Sequence, residues 1–180
     1  MDVDALTDPL GSAERDGKRF VLSYERHIPR GVDRVWAALT LPALLHEWLG
    51  EVEVDPVEGG IFSITWLNAN ADGRAPTMEA RITAIDPPRL LEVRGPPHGV
   101  LRFELGPEGD GTILTLTNTT RRRPDDMFRN LAGWHIHLIH LEESLDGATV
   151  DWPNWWREEG ATRWQTLHDR YRERALAARG

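Results

Sequence analysis

Between residues 51 and 120 the chain is a succession of short alternating segments separated by clusters of turn formers: Glu58-Gly59-Gly60, Ala71-Asp72-Gly73, Asp86-Pro87-Pro88, Gly95-Pro96-Pro97 and Glu108-Gly109-Asp110-Gly111. No stretch between these breaks is long enough for the helical crossover that two parallel strands need, so the only sheet this region can build is an antiparallel meander. The breaks predict strands over 51–55, 60–68, 76–85, 90–94, 99–105 and 112–120. Alternation places Phe62, Ile64 and Trp66 on one face of their strand, and likewise Leu101, Phe103 and Leu105, then Leu114 and Leu116. Asn118 continues that last apolar face.

The flanking segments supply what covers such a sheet. Phe20, Leu22, Tyr24 and Ile28 alternate with Ser23, Glu25 and His27, a strand pattern that puts Arg26 on the apolar side. Pro29 and Gly31 break it. Val32, Val35, Trp36 and Leu39 then recur at helical spacing, and Pro42 opens a second short helix with Leu44, Leu45, Trp48 and Leu49 that Gly50 ends. After Pro124, Leu131, Trp134, Leu138, Leu141 and Leu145 follow at spacings of three and four, the longest helical pattern, predicted to lie along the concave face of the sheet. Residues 1–18 are polar and without period and are expected to form a mobile tail, with one domain over 19–147. The segment 148–180 carries Trp152, Trp155 and Trp156, then Trp164, Leu167, Tyr171 and Ala175 on one helical face. This extension is expected to pack on the same domain, its tryptophans covering a cavity mouth, the outer face of the sheet or a dimer interface, and Arg170–Arg179 forming a solvated helix end.

Composition excludes several function classes. The 180 residues contain no cysteine, so disulfides, thiolate zinc sites and a cysteine nucleophile are ruled out. A net charge of −8 argues against nucleic acid, whose binders neutralise phosphates with Lys and Arg. Arg121-Arg122-Arg123, followed by Pro124 and two aspartates, reads as a solvated loop. No run of about eighteen apolar residues suggests a membrane span, and the amino terminus lacks a basic segment followed by an apolar one, so a cytoplasmic location is expected.

Five segments, in order, resemble the helix-grip fold of the Bet v 1/START-like (SRPBCC) superfamily, in its Hsp90-ATPase-activator-homologue-like branch. They are the run from Ile28-Pro29-Arg30-Gly31 to Leu39-Thr40, Asp55-Pro56-Val57-Glu58-Gly59-Gly60-Ile61-Phe62, Asp86-Pro87-Pro88-Arg89-Leu90, Gly111-Thr112-Ile113-Leu114-Thr115-Leu116-Thr117 and Gly133-Trp134-His135-Ile136-His137-Leu138. The resemblance implies an α+β fold: a curved antiparallel sheet wrapped around a long C-terminal helix, two short helices after the first strand, and here an extra C-terminal helix. It also implies a cavity between sheet and helix. Superfamily members include lipid and hormone carriers, aromatic polyketide cyclases and Hsp90 co-chaperone domains, so the fold alone does not choose an activity. Many relatives have a histidine where this chain has Asn118, so no imidazole general base is expected there.

The inward parities give the candidate ligand-binding residues. Trp48, Trp66 and Trp134 are candidate aromatic walls, with Phe62, Met78, Phe103 and Leu138 between them; ordinary core packing explains each equally well. Arg26 needs a carboxylate, from the protein or from a ligand. Asn118 is suited to orient a ligand carbonyl or hydroxyl, or to bridge strands. Tyr24 is a candidate general acid, although strand tyrosines more often pack the ring and hydrogen-bond the hydroxyl. His137 and His140 share a helical face while His135 lies some 200° from His137, so three imidazoles cannot converge on a metal. A two-histidine site with Glu142 or Glu143 is the remaining metal arrangement, and a satisfied surface or core role outweighs it. The expected ligand is therefore a small hydrophobic or aromatic molecule, with no cofactor, metal, nucleic acid or membrane, bound by a monomer or homodimer. A cyclase-like or hydrolase-like enzyme in the same cavity and a protein-interaction module are the competing readings.

Overall fold

The computed structural model describes residues 9–67, 76–121 and 126–178. Eight strands form one antiparallel sheet: β1 (Ser12–Asp16), β2 (Arg19–Ile28), β3 (Glu51–Val54), β4 (Ile61–Thr65), β5 (Thr77–Asp86), β6 (Leu90–Gly95), β7 (Gly99–Glu108) and β8 (Gly111–Thr120). Their order is β1-β2-β8-β7-β6-β5-β4-β3, so the meander β3 to β8 closes against β2. Two short helices, α1 (Val32–Thr40) and α2 (Pro42–Trp48), lie between β2 and β3 in sequence, and the long α3 (Met127–Leu145) follows β8. Then come α4 (Trp152–Trp155), a π-helical turn over Trp156–Gly160, and α5 (Ala161–Ala177). This is the helix-grip architecture, a curved antiparallel sheet around a long helix.

Register explains why one face of the sheet is apolar. Leu22 pairs with Asn118 and Asn118 with Leu101; Tyr24 pairs with Leu116 and Leu116 with Phe103; Arg26 pairs with Leu114 and Leu114 with Leu105. Three such rows, each read across β2, β8 and β7, keep the same parity. The Asp55-to-Phe62 turn depends on two glycines in different ways. Gly59 has φ +81, which side-chain-bearing residues rarely adopt, and a Cβ on Gly60 would overlap the Asp55 carbonyl oxygen.

The structure corrects the expected mobile tail. Ser12–Asp16 is an edge strand, paired from Ser12 with Ser23 to Asp16 with Arg19. Its sequence, SAERD, has no apolar alternation because it is an edge strand whose residues are mostly exposed. Gly17, with φ +58, makes the tight turn into β2. The end of the expected strand at Asn68, the turn Ala71-Asp72-Gly73, and Arg122 and Arg123 lie outside the described residues, as do residues 1–8.

The helix α3 is buried on almost every side. Leu131, Trp134, Leu138, Leu141 and Leu145 join the main core with the sheet, while Ala132, Ile136 and Ile139 form a second cluster with Trp155 and Leu167 from the extension. The tryptophan-rich segment thus packs on the helix face opposite the sheet. Within the extension, Gly160 lets the π-helical turn pass close to the Trp155 ring, from which a Cβ would lie only 2.6 Å away. The expected solvated end of α5 is exposed over Arg172, Glu173, Arg174 and residues 176–178, but Tyr171 within it is buried and Arg174 reaches the Leu10 and Gly11 carbonyls beside β1.

Candidate ligand site

Inside the grip, the polar atoms of the sequence-selected residues are largely engaged by the protein itself. Tyr24 donates its hydroxyl proton to the Leu131 carbonyl at 3.0 Å, and burial pushes its pKa well above the usual tyrosine value. Trp48 donates to the Ala38 carbonyl at 2.9 Å. Asn118 donates to the His98 and Val100 carbonyls at 2.7 and 3.0 Å, which ties β8 to the start of β7. Arg26 ion-pairs with Glu142 of α3, Nε to Oε1 at 3.1 Å, and donates through Nη1 to the Pro9 and Glu25 carbonyls. Phe62, Met78, Phe103 and Leu138 are buried in the same core. These residues are brought together, in that they line one continuous interior.

At one end of that interior, four rings from three segments converge. Trp66 follows β4, His98 lies in the turn before β7, and Trp134 and His137 lie on α3. Trp66 sits 5.2 Å from His98, 5.8 Å from Trp134 and 5.1 Å from His137, between ring centroids; Trp134 is 6.0 Å from His98 and 5.8 Å from His137. Such separations are those of tilted and edge-to-face aromatic contacts. Candidate reasoning from the sequence selected Trp66 and Trp134 but missed His98 and His137 as their partners. The signal for His98 was weak, a histidine directly after Pro96-Pro97, and only the meander's closure brings it to the helix.

His137 also belongs to a different recess. On the face of α3 turned away from the sheet, Gly133, Ile136, His137 and His140 meet the four extension tryptophans around a cleft with a cavity volume of about 30 Å³. Its two imidazoles are held alike. His137 Nδ1 is 3.0 Å from the Trp48 carbonyl oxygen and His140 Nδ1 is 3.0 Å from Glu143 Oε2. Burial lowers the His137 pKa to about 3. Burial works to raise the Glu143 carboxyl, but hydrogen bonds with His140 and Arg163 outweigh it and hold the group below its usual value. His135 lies apart from both, with Nδ1 2.8 Å from the Tyr171 hydroxyl; burial, then the charges of Arg26, Arg170 and Arg174, bring its pKa to about 3. Among the described residues no three metal-binding side chains gather at one point.

A family model described as "Activator of Hsp90 ATPase homolog 1-like protein" matches residues 30–146. The chain belongs to this family. The match runs from α1 to the end of α3, so the aromatic cluster lies within the family region, while β1 and β2 precede it. Among solved structures, CalU16 from Micromonospora echinospora is 21% identical, with a TM-score of 0.67, covering 91% of this chain and 94% of that one. A conserved protein of unknown function, EF2215 from Enterococcus faecalis, has a TM-score of 0.68 at 18% identity, over 97% of this chain and 94% of that one. MLL2253 from Mesorhizobium loti is 26% identical, with a TM-score of 0.59, over 72% of this chain and 99% of that one. The first two matches extend past residue 146, so part of the helical extension belongs to the fold they share with this family member. A search of curated proteins finds no match. No helix among the described residues is long and apolar enough to cross a membrane.

Proposed function

We propose that this chain binds a small hydrophobic or aromatic molecule between the sheet and α3, against the rings of Trp66, His98, Trp134 and His137. The convergence of those four rings carries the reading. Flat rings from three segments present apolar faces at one end of the grip, and pockets for small molecules are lined in this way. The family's helix-grip fold supports it, since that fold is a ligand-binding one. Arg26 and Asn118, which the sequence offered as orienting groups, are engaged by Glu142 and by backbone carbonyls, so the contact proposed is mainly apolar.

Neither competing reading gains a specific observation. Tyr24, the general acid an enzyme of cyclase type would use, commits its proton to a backbone carbonyl. An interaction module would expose its aromatic patch, yet Trp152 and Trp155 are buried, and the exposed large hydrophobics Leu41, Val57, Trp156 and Leu176 lie on four separate segments.

The test is native mass spectrometry of the purified protein, then denaturation and analysis of released small molecules. A reproducible co-purified compound, absent from a folded Trp134→Ala variant, supports the reading. An empty protein whose tryptophan fluorescence ignores apolar and aromatic probes overturns it.

A further inference from the structure

We propose that the cleft behind α3, between His140 and Trp155, is a second small-molecule site that takes the hydroxyl group of a phenol. This inference concerns the opposite face of α3 from the grip and does not rest on the reading above.

Two buried polar atoms on the cleft's lining have no hydrogen-bond partner: His140 Nε2 and Trp155 Nε1. Both side chains are more than nine-tenths buried, at 1% and 5% exposure. A buried donor or acceptor left unpaired is destabilising, so two on the residues of one recess are a standing demand for an occupant. The chemistry of that occupant follows from the tautomers. The Trp48 carbonyl can only accept, so the neutral His137 ring carries its proton on Nδ1 and leaves Nε2 a bare lone pair. The Glu143 carboxylate, held ionised by Arg163 at 2.9 Å, takes the Nδ1 proton of His140 in the same way. The unpartnered His140 Nε2 therefore stands as an acceptor beside the unpartnered Trp155 indole donor. A hydroxyl matches this pattern, because its proton goes to His140 Nε2 while its oxygen accepts from Trp155 N–H.

Size and wall composition select the rest of the molecule. A cavity volume of about 30 Å³ admits one small polar group and not a whole ring. The body must then sit at the mouth, where Trp156 is 45% exposed and Trp164 is half-buried. Tryptophan faces at the mouth and a hydroxyl-sized floor together describe an aryl alcohol of the phenol class. Trp152, also on the lining, has its own N–H already donated to the His46 carbonyl at 2.8 Å.

The experiment is an NMR titration of the ¹⁵N-labelled protein with phenol, anisole and toluene, following the Trp155 indole N–H and the His137 and His140 ring nitrogens. The expected result is a saturable shift of all three groups with phenol, and affinity lower by about tenfold for anisole, which lacks the proton, and for toluene. Trp155→Phe removes the donor and keeps the ring, and should weaken phenol by about tenfold while leaving toluene unchanged. Equal affinity for the three probes would overturn the proposal, as would shifts confined to Trp66 and Trp134, which report the grip. So would no saturable shift at millimolar phenol, which would leave the cleft to bound water alone. The comparison of the three probes on the unmodified protein decides the matter even where the variant fails to fold.

Discussion

The two faces of α3 solve the same problem differently. Toward the sheet, Tyr24, Trp48 and Asn118 each give their polar hydrogens to a named backbone carbonyl, and apolar side chains fill the rest. Toward the extension, the packed cluster is small, and the unpartnered ring nitrogens of His135, His140 and Trp155 all lie on α3 or α4. On the sheet side these polar hydrogens are taken up by the fold itself, with Arg26 Nη2 the buried donor left over. The extension side keeps polar capacity in reserve, which is the physical signature of a surface that water or a ligand completes.

The largest effect that would break this contrast is a matched pair of truncations. Leu138→Ala on the sheet side should cost about 4 kcal/mol, because it belongs to the main core; Ile136→Ala on the extension side should cost about 2 kcal/mol, since it already borders a cleft and can relax into it. Urea unfolding measures both. Equal costs would mean that the two faces are packed alike.

Acid should act next, and in a known direction. His135 and His137 have pKa values near 3 in the folded protein, against the usual 6.5. Between those values the unfolded chain binds protons that the folded one refuses, so stability is full above about pH 6.5 and falls as pH drops toward 3. From pH 7.5 to 5.5 the two histidines together should remove about 3 kcal/mol. Replacing His137 with Asn should halve that drop. A stability that stays flat over this range would show that neither ring is buried neutral.

Tyr171 sharpens the comparison at a third level. Its hydroxyl accepts from the Gly11 N–H at 3.0 Å and shares a hydrogen bond of 2.8 Å with His135 Nδ1, joining the residue before β1 to α3 and α5 through one oxygen. Tyr171→Phe strands the Gly11 backbone donor and the His135 Nδ1 nitrogen and should cost about 2 kcal/mol. Hydrogen exchange should then rise in β1 before it rises in β2. Uniform exchange would mean that β1 is held by its ladder alone.

How much of this was legible beforehand follows from the periods. The meander, α1, α2 and α3 were readable because turn formers punctuate a period of two and leucines mark a period near four. Arg26 announced itself by sitting on an apolar strand face, and the carboxylate it required is Glu142. The edge strand β1 was illegible because an exposed edge has no apolar alternation to show. The cleft was illegible for another reason: His137 and His140 share a helical face in the sequence, but nothing there brings Trp155 to them until α4 folds back on α3. Sequence spacing explains why His135 cannot join the other two imidazoles, but it carries no information about which nitrogen of each ring is already taken.

The smallest predicted effect isolates that last point. Trp152 and Trp155 are the same residue type, one helical turn apart, and both are buried. Trp152 donates its indole proton to the His46 carbonyl, which anchors the extension to α2, whereas the Trp155 proton has no protein acceptor. Substituting Phe removes nearly the same apolar surface from each. The difference between the two variants is therefore the worth of one hydrogen bond, about 1 kcal/mol, with Trp152→Phe the more destabilised. Thermal unfolding at neutral pH, without added ligand, measures it. Should Trp155→Phe prove as costly as Trp152→Phe, its indole proton already has a firm partner in the isolated protein, such as a tightly held water. The extension side would then be as satisfied as the sheet side, and the contrast between the two faces of α3 would fall.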